Sequence, residues 1–390
     1  MPIEGRSRET ADARIRLGMV GGGEGAFIGA VHRIAARLDD HYVLVAGALS
    51  STPDKARRSG QALGLAPDRI YDDFETMAKT EAKRPDGIEA VAIVTPNDTH
   101  APAAKAFLKA GMHVICDKPL TVNLKEALSL EKAVKQSGRI FALTHNYTGY
   151  PMVRHARAMV KAGELGELRL VQAEYPQDWL TEKIEDTGQK QAVWRNDPKR
   201  AGAGGCLGDI GTHAFHLASF VTGLQLDSLS ADLTSFVKGR KLDDNVHIMM
   251  RFKGGAKGML WASQVAPGNE NNLKLRVYGT KGGLEWWQEH PNQLIWSPLN
   301  KAPQILSRGS PSANAAAARV TRVPPGHPEG YLEGFASIYT EVAAAIRAAR
   351  AKKKLDPAVT FPTVDDGVRG IAFIEAAVKS SAKDGKWVKL

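Results

Sequence analysis

The run Gly204-Gly205-Cys206-Leu207-Gly208-Asp209-Ile210-Gly211-Thr212-His213 sets a carboxylate and an imidazole four residues apart behind a glycine-rich turn. On a helix that spacing puts Asp209 and His213 on one face. An imidazole changes charge near neutral pH. His213 could therefore carry a proton to or from a reacting hydroxyl, with Asp209 holding the ring or binding the substrate. Taken alone, the pair reads first as something plainer: Asp209 capping a helix that begins at Ile210, and His213 a satisfied, partly buried histidine. A zinc site drawing on Asp209, His213, His216 and His247 is disfavoured, because no cysteine or further carboxylate joins the cluster. No metal is expected.

Other segments supply partners for this pair. Gly21-Gly22-Gly23-Glu24-Gly25-Ala26-Phe27-Ile28-Gly29 lies between an apolar run and a helical pattern. Glycines let a backbone approach a pyrophosphate, and a helix N-terminus stabilises its charge. Gly21, Gly23 and Ala26 keep the G-x-G-x-x-A spacing, with Phe27 and Ile28 as further cofactor contacts; Gly29 falls three residues late, which implies an enlarged loop. An NAD site usually ends its second strand on an acid that binds the ribose hydroxyls, but this chain reads Ala48-Leu49-Ser50-Ser51-Thr52-Pro53-Asp54-Lys55. Ser50, Ser51 and Lys55, with Arg57 and Arg58 behind them, suit a 2′-phosphate and lean the choice from NAD towards NADP. The plainer alternative is that these residues only start and decorate a helix.

Thr95-Pro96-Asn97-Asp98-Thr99-His100 ends the next strand and opens a helix. Thr95, Pro96, Asn97 and His100 are thus placed at the sheet's carboxyl edge, where ligands bind, unless the run is a simple Asx cap. One strand later, His113-Val114-Ile115-Cys116-Asp117-Lys118-Pro119 brings Asp117 and Lys118 to the same edge. A lysine there could hold a substrate hydroxyl and lower its pKa.

The elements that must position these groups fall into two halves. Strands are predicted at 15–20, 42–49, 90–95, 113–116 and 139–143, alternating with helices at 30–38, 53–63, 99–109 and 124–136. Gly64, Gly111 and Gly138 sit where those helices should stop. This is the pattern of a doubly wound parallel sheet, assigned to 1–145 with a polar tail at 1–14. A second α/β domain, 146–390, opens with a helix at 152–161 and a strand at 168–175. A charged, Trp- and Gly-containing loop follows, then the opening motif and its helix. Alternating segments at 229–236, 246–252, 257–265 and 273–278 predict a largely antiparallel sheet. Residues 298–329 read as an irregular surface excursion, and helices at 332–350 and 364–382 close the chain.

At 390 residues the chain suits two domains. Its net charge of +10 is spread without a basic stripe interleaved with aromatics, so nucleic acid is not an expected partner. Lys352-Lys353-Lys354 reads as the solvated end of a helix. Cys116 and Cys206 make no disulfide framework, and no apolar run has the length of a membrane span or the character of a signal peptide. A cytoplasmic location is expected.

Four motifs in order resemble the glucose-fructose oxidoreductase, inositol dehydrogenase and rhizopine-catabolism (Gfo/Idh/MocA) family. They are the glycine turn followed by His32, T-P-N-x-x-H at 95–100, K-P at 118–119 and the G-G-x-x-x-D-x-G-x-H run ending at His213. Trp194-Arg195 and Gly330-Tyr331 through Phe335 fit the same family. The resemblance implies a Rossmann domain, a C-terminal α/β domain with a large, mostly antiparallel, open-faced sheet, and homodimers or homotetramers. It also implies catalytic roles for Lys118, Asp209 and His213. The family usually has glutamate where this chain has Asp117. The expected activity is NAD(P)-dependent hydride transfer to or from a secondary hydroxyl of a sugar, inositol or related cyclic polyol. Tyr147, Trp179, Trp194 and Arg195, with Asp209 and His213, are the candidate substrate contacts. Two alternatives share these parts: an NAD-dependent glycosidase working by transient oxidation and elimination, and a non-catalytic nucleotide sensor or scaffold.

Overall fold

A computed structural model describes residues 14–390, so the expected polar tail at 1–14 lies outside the described residues except for Arg14. The first half is a five-stranded parallel sheet ordered β2-β1-β3-β4-β5. Its strands are β1 (Ile15–Gly21), β2 (Tyr42–Ala48), β3 (Ala90–Val94), β4 (His113–Cys116) and β5 (Phe141–Leu143). Helices α1 (Phe27–Leu38), α2 (Pro53–Ala62), α3 (Phe74–Glu81), α4 (Asn97–Lys109) and α5 (Leu124–Ser137) connect them. Every residue of β3 and β4 is buried, as an internal strand covered on both faces requires. Asp73 accepts from the Thr76 N–H and Asn123 from the Glu126 N–H, which fixes the starts of α3 and α5. The strand order reverses between β1 and β3. A crevice therefore opens beyond their carboxyl ends, where Gly21 and Thr95 lie.

The second half is a nine-stranded sheet ordered β13-β12-β11-β10-β6-β9-β8-β7-β14, antiparallel except where β6 and β9 run parallel. In chain order it comprises β6 (Leu168–Pro176), β7 (Leu226–Thr234), β8 (Asn245–Phe252), β9 (Lys257–Ser263) and β10 (Lys274–Gly279). The remaining strands are β11 (Gly282–Trp287), β12 (Gln293–Pro298), β13 (Gln304–Ser307) and β14 (Val388–Lys389). Helices α6 (Pro151–Lys161), α9 (Thr212–Thr222) and α12 (Val364–Ser381) cover one face, while Leu170, Met249 and Met259 stand exposed on the other. Between β6 and α9 the charged loop contains two short helices, α7 (Lys190–Arg195) and α8 (Pro198–Ala201).

Two expectations need correction. Residues 298–329 are not an irregular excursion: β13 pairs with β12, a short helix α10 (Ala315–Ala318) follows, and the segment closes around a buried arginine. Arg308 donates to Glu329 at 2.9 Å and to the Val323 and Pro324 carbonyls at 2.6 and 3.1 Å, order that no local pattern announces. The penultimate long helix, α11 (Tyr331–Arg350), also completes the first core: Phe335, Ile338, Tyr339 and Val342 pack with Ile15, Leu17, Met19 and Val31. His32 bonds the Tyr339 hydroxyl at 2.8 Å, so the motif histidine of α1 secures this helix.

Candidate active site

Lys118 is delivered by a backbone held on several sides. The Asp117 N–H donates to the Ile93 carbonyl, and its Oδ1 accepts from the Lys118 N–H and the Thr144 hydroxyl, both at 2.9 Å. Buried His100 places Nδ1 2.8 Å from the Pro119 carbonyl and Nε2 2.9 Å from the Thr95 carbonyl. It thus ties the Lys118–Pro119 segment, whose peptide is cis, to the end of β3. His100, expected at the cofactor, lies behind the cleft as a clamp. From this support Lys118 Nζ reaches the second half and donates to the Asp209 carbonyl at 2.6 Å and to its Oδ1 at 3.0 Å.

Asp209 does not cap a helix starting at Ile210, which corrects the plainer expectation. The helix begins earlier as a π-helical turn, Leu207–Gly211, and continues into α9. Such turns recur at functional sites because they re-aim side chains. The capping role falls to Asp243, whose carboxylate accepts from the Gly205 N–H at 2.6 Å and the Leu207 N–H at 2.8 Å. Asp209 is left to the cleft, where Oδ2 accepts from Gln264 Nε2 at 2.9 Å and lies 3.1 Å from Arg195 Nε. Burial alone would raise its pKa, but Arg195 and Lys118 hold the carboxyl well below the usual range, so it stays ionised.

His213 follows on α9 with 7% of its surface exposed, against the Tyr147 ring at 4.9 Å and the His145 ring at 5.4 Å, both edge-on. Burial, then the Lys118 charge, depresses its pKa well below 6.5, against the opposing pull of Asp209. The ring is therefore neutral at physiological pH and able to accept a proton. His216 stacks on His145 and faces Asp366 at 3.4 Å, whereas His247 stacks on Trp261 in the large sheet. Among the described residues no group of three or more His, Cys, Asp and Glu is arranged to hold a metal.

Lys118, Asp209 and His213 line one cavity of about 680 Å³ between the halves, together with Ala26, Phe27, Ile28, Thr95, Pro96 and Asn97. Among the described residues the α1 N-terminus has neither a side-chain cap nor an acid in its first turn, so its N–H groups are available to an anion. Gly22 and Gly29 pack so closely that a Cβ on Gly29 would meet the Gly22 Cα at 2.3 Å, and Gly29 thus provides the close helix-to-strand approach. Buried Thr95 Oγ1 and Asn146 Nδ2 have no hydrogen-bond partner among the described residues, and both residues line the cavity. These features fit a dinucleotide. Asn97 spends its side-chain amide on the Ala201 carbonyl at 2.9 Å. Gly21 ends β1 with φ +78°, while the Gly23 N–H donates to the Leu49 carbonyl. Ser50 Oγ accepts from the Thr52 N–H, and Ser51 is exposed. Arg57 and Arg58 are paired with Asp54 and Glu24; Lys55 makes no ion pair among the described residues.

Of the candidate substrate contacts, Tyr147, Trp194 and Arg195 line the cavity, but Trp179 does not. Its indole donates to Gln177 Oε1 at 3.1 Å, and Gln177 faces the cavity instead. Arg195 lies over the Trp194 ring at 4.4 Å, and both donate to Gln191 Oε1. Tyr147 belongs to a polar arc whose other members, Tyr175, Gln177 and Asn271, the sequence did not single out. The Tyr147 and Tyr175 hydroxyls are bonded to each other, Tyr175 donates to Asn271 Oδ1 at 2.7 Å, and Gln177 Nε2 donates to the same oxygen at 2.7 Å. Tyr175, Gln177 and Asn271, with Gln264, sit at strand ends or in loops, where no periodicity distinguishes them.

Residues 15–145 match the model of the oxidoreductase family with an NAD-binding Rossmann fold, and residues 153–285 match the GFO/IDH/MocA C-terminal domain. The chain belongs to the Gfo/Idh/MocA family. Among its relatives in this family is an oxidoreductase from Sinorhizobium meliloti whose crystal structure is 60% identical, with a TM-score of 0.88, over 96% of this chain and 99% of that one. An inositol dehydrogenase homolog from Azotobacter vinelandii, crystallised with NADH and myo-inositol, is 38% identical with a TM-score of 0.91 over 97% and 98% of the two chains. The uncharacterized oxidoreductase YfiI of Bacillus subtilis is 35% identical over 96% of each chain. The described residues contain no helix long and apolar enough to cross a membrane.

Proposed function

We propose that this Gfo/Idh/MocA oxidoreductase moves a hydride between a nicotinamide dinucleotide and a secondary hydroxyl of a cyclic polyol, with inositols and sugars as the substrate class. The observation that carries the reading is the meeting of Lys118 with Asp209 and His213 in the cavity that the open α1 N-terminus also borders. In the oxidative direction Lys118 Nζ binds the reacting hydroxyl oxygen and stabilises charge developing there, while neutral His213 takes its proton. Ionised Asp209 orients Lys118 and offers an acceptor to a neighbouring hydroxyl. A bound nicotinamide supplies the hydride acceptor at C4. Tyr147 and Trp194 offer aromatic faces to the C–H face of a ring, and Gln177 and Asn271 suit its remaining hydroxyls. The relative that binds NADH and myo-inositol supports this substrate class.

For the cofactor, Ser50, Ser51 and Lys55 lack the acid typical of a strict NAD site, and we propose that NADP is accepted beside NAD. The exposed apolar face of the large sheet supports self-association into a dimer or tetramer. The experiment is a screen of inositols, sugars and sugar acids with NAD+ and NADP+, following reduced nicotinamide. Turnover with a cyclic polyol is the expected result. Release of a leaving group without net reduced nicotinamide would give the glycosidase reading, and nucleotide binding without any turnover the sensor reading.

A further inference from the structure

Gln264 is 2% exposed and absent from the cavity wall, yet its side-chain amide is bonded to the carboxylate at the centre of the site. Its Nε2 must face Asp209 Oδ2, because an ionised carboxylate only accepts. The main chain of Gln264 is fixed as well: its N–H donates to the Asp244 carbonyl at 2.8 Å, and its carbonyl accepts from the Leu180 N–H at 3.0 Å.

The neighbouring aspartates extend this support. Asp243 holds the turn that carries Asp209, through Gly205 and Leu207, and its carbonyl accepts from the Cys206 N–H at 2.8 Å. Asp244 pairs at 3.2 Å with buried Arg240, which donates to the Leu180 and Glu182 carbonyls at 2.7 and 2.9 Å and pairs with Glu185 at 2.8 Å. That pins the loop leading to Arg195, the other partner of Asp209 Oδ2. The run Asp243-Asp244 before β8 thus supports the Asp209 turn, Gln264 and the Arg195 loop together.

We infer that Gln264, braced by Asp243 and Asp244, is a positioning residue for hydride transfer that fixes the direction of the Asp209 carboxylate and, through it, of Lys118. The inference rests on the proposed roles of Lys118, Asp209 and His213. With Lys118 on Oδ1 and Arg195 on Oδ2, the carboxylate has two cations to follow. The neutral amide holds Oδ2 without adding charge, so Lys118 Nζ keeps one location. Near-attack geometry is sensitive to displacements of about 1 Å, which can cost on the order of 100-fold in rate.

The test is Gln264→Met, which keeps length and apolar stem but removes the donor, assayed with myo-inositol and NAD+ in wild-type and Asp209→Asn backgrounds. The expected result is at least a ~10-fold fall in kcat in the wild-type background, with the KM for myo-inositol and the Kd for NADH within about 2-fold. In the Asp209→Asn background the same change should add less than about 2-fold, since residues acting through one another are not additive. Unchanged kcat in the wild-type background, or an equal loss in both, would overturn the inference. So would a parallel loss of NADH binding and melting temperature. His213→Asn separates the two levels. If it retains full turnover, the reading of the site fails; if it abolishes turnover while Gln264→Met is silent, only the role of Gln264 fails.

Discussion

Lys118 Nζ lies 3.0 Å from Asp209 Oδ1 and 2.6 Å from the Asp209 carbonyl, contacts that join the carboxyl edge of the parallel sheet to the π-helical turn of the second half. Neither residue is more than about one-sixth exposed, so the pair meets in a medium that strengthens both attraction and mispositioning. Replacing Lys118 by Met should lower kcat on the order of 100- to 1,000-fold, the usual cost of losing one donor to a developing oxyanion. NADH affinity should change by less than about 3-fold. Fluorescence titration and steady-state kinetics on the same preparation check this; a drop in affinity that accounts for the whole loss would make Lys118 a cofactor ligand only.

Ser50 follows the end of β2, where an acid would meet the ribose hydroxyls of NAD. Introducing an acid by Ser50→Asp should shift the ratio of kcat/KM for NAD+ over NADP+ by at least ~10-fold towards NAD+, through ribose hydrogen bonds and repulsion of a 2′-phosphate. A ratio that does not move would place the 2′ position elsewhere.

Acid should loosen the protein through its buried histidines. Burial lowers the His32 pKa from 6.5 to about 4, overriding Asp117. The unfolded chain therefore binds more protons than the folded one between those values, and stability is lost as pH falls through that window. His32 alone contributes about 3 kcal/mol over the full range and roughly 2 by pH 5. Urea unfolding at pH 7 and pH 5 measures it: His32→Asn should flatten the dependence, and an unaltered slope would remove His32 as its source.

The open sheet face should mediate assembly. Met249 and Met259 pair across β8 and β9, are more than half exposed and share that face with Leu170. Met259→Lys should weaken association by introducing a charge into an apolar contact. Sedimentation of variant and wild type at matched concentration reports the outcome, and an identical oligomer in both would move the interface elsewhere.

Much of this organisation was legible in the chain. Continuous apolar runs at β3 and β4 and the glycine turn before α1 specify a Rossmann edge, because parallel strands are buried on both faces and a pyrophosphate needs open backbone. The four-residue spacing brought Asp209 and His213 to one cavity. The capping of the Asp209 turn was not legible, since its cap, Asp243, lies 34 residues downstream and caps are recognised only locally. The same holds for Gln264, Asn271 and Arg308, whose partners are distant in sequence. Trp179 lies in the loop that its sequence position indicates, but Gln177, which accepts from its indole, lines the cavity in its place.

Neutral, buried His213 is the group proposed to take the substrate proton. The most direct measurement is single-turnover oxidation of myo-inositol by NAD+ in wild-type protein and in His213→Asn, with NADH affinity measured on both. In His213→Asn the rate should be lower by about 100- to 10,000-fold and the NADH Kd within about 2-fold of wild type. A variant that oxidises myo-inositol at the wild-type rate would contradict that role.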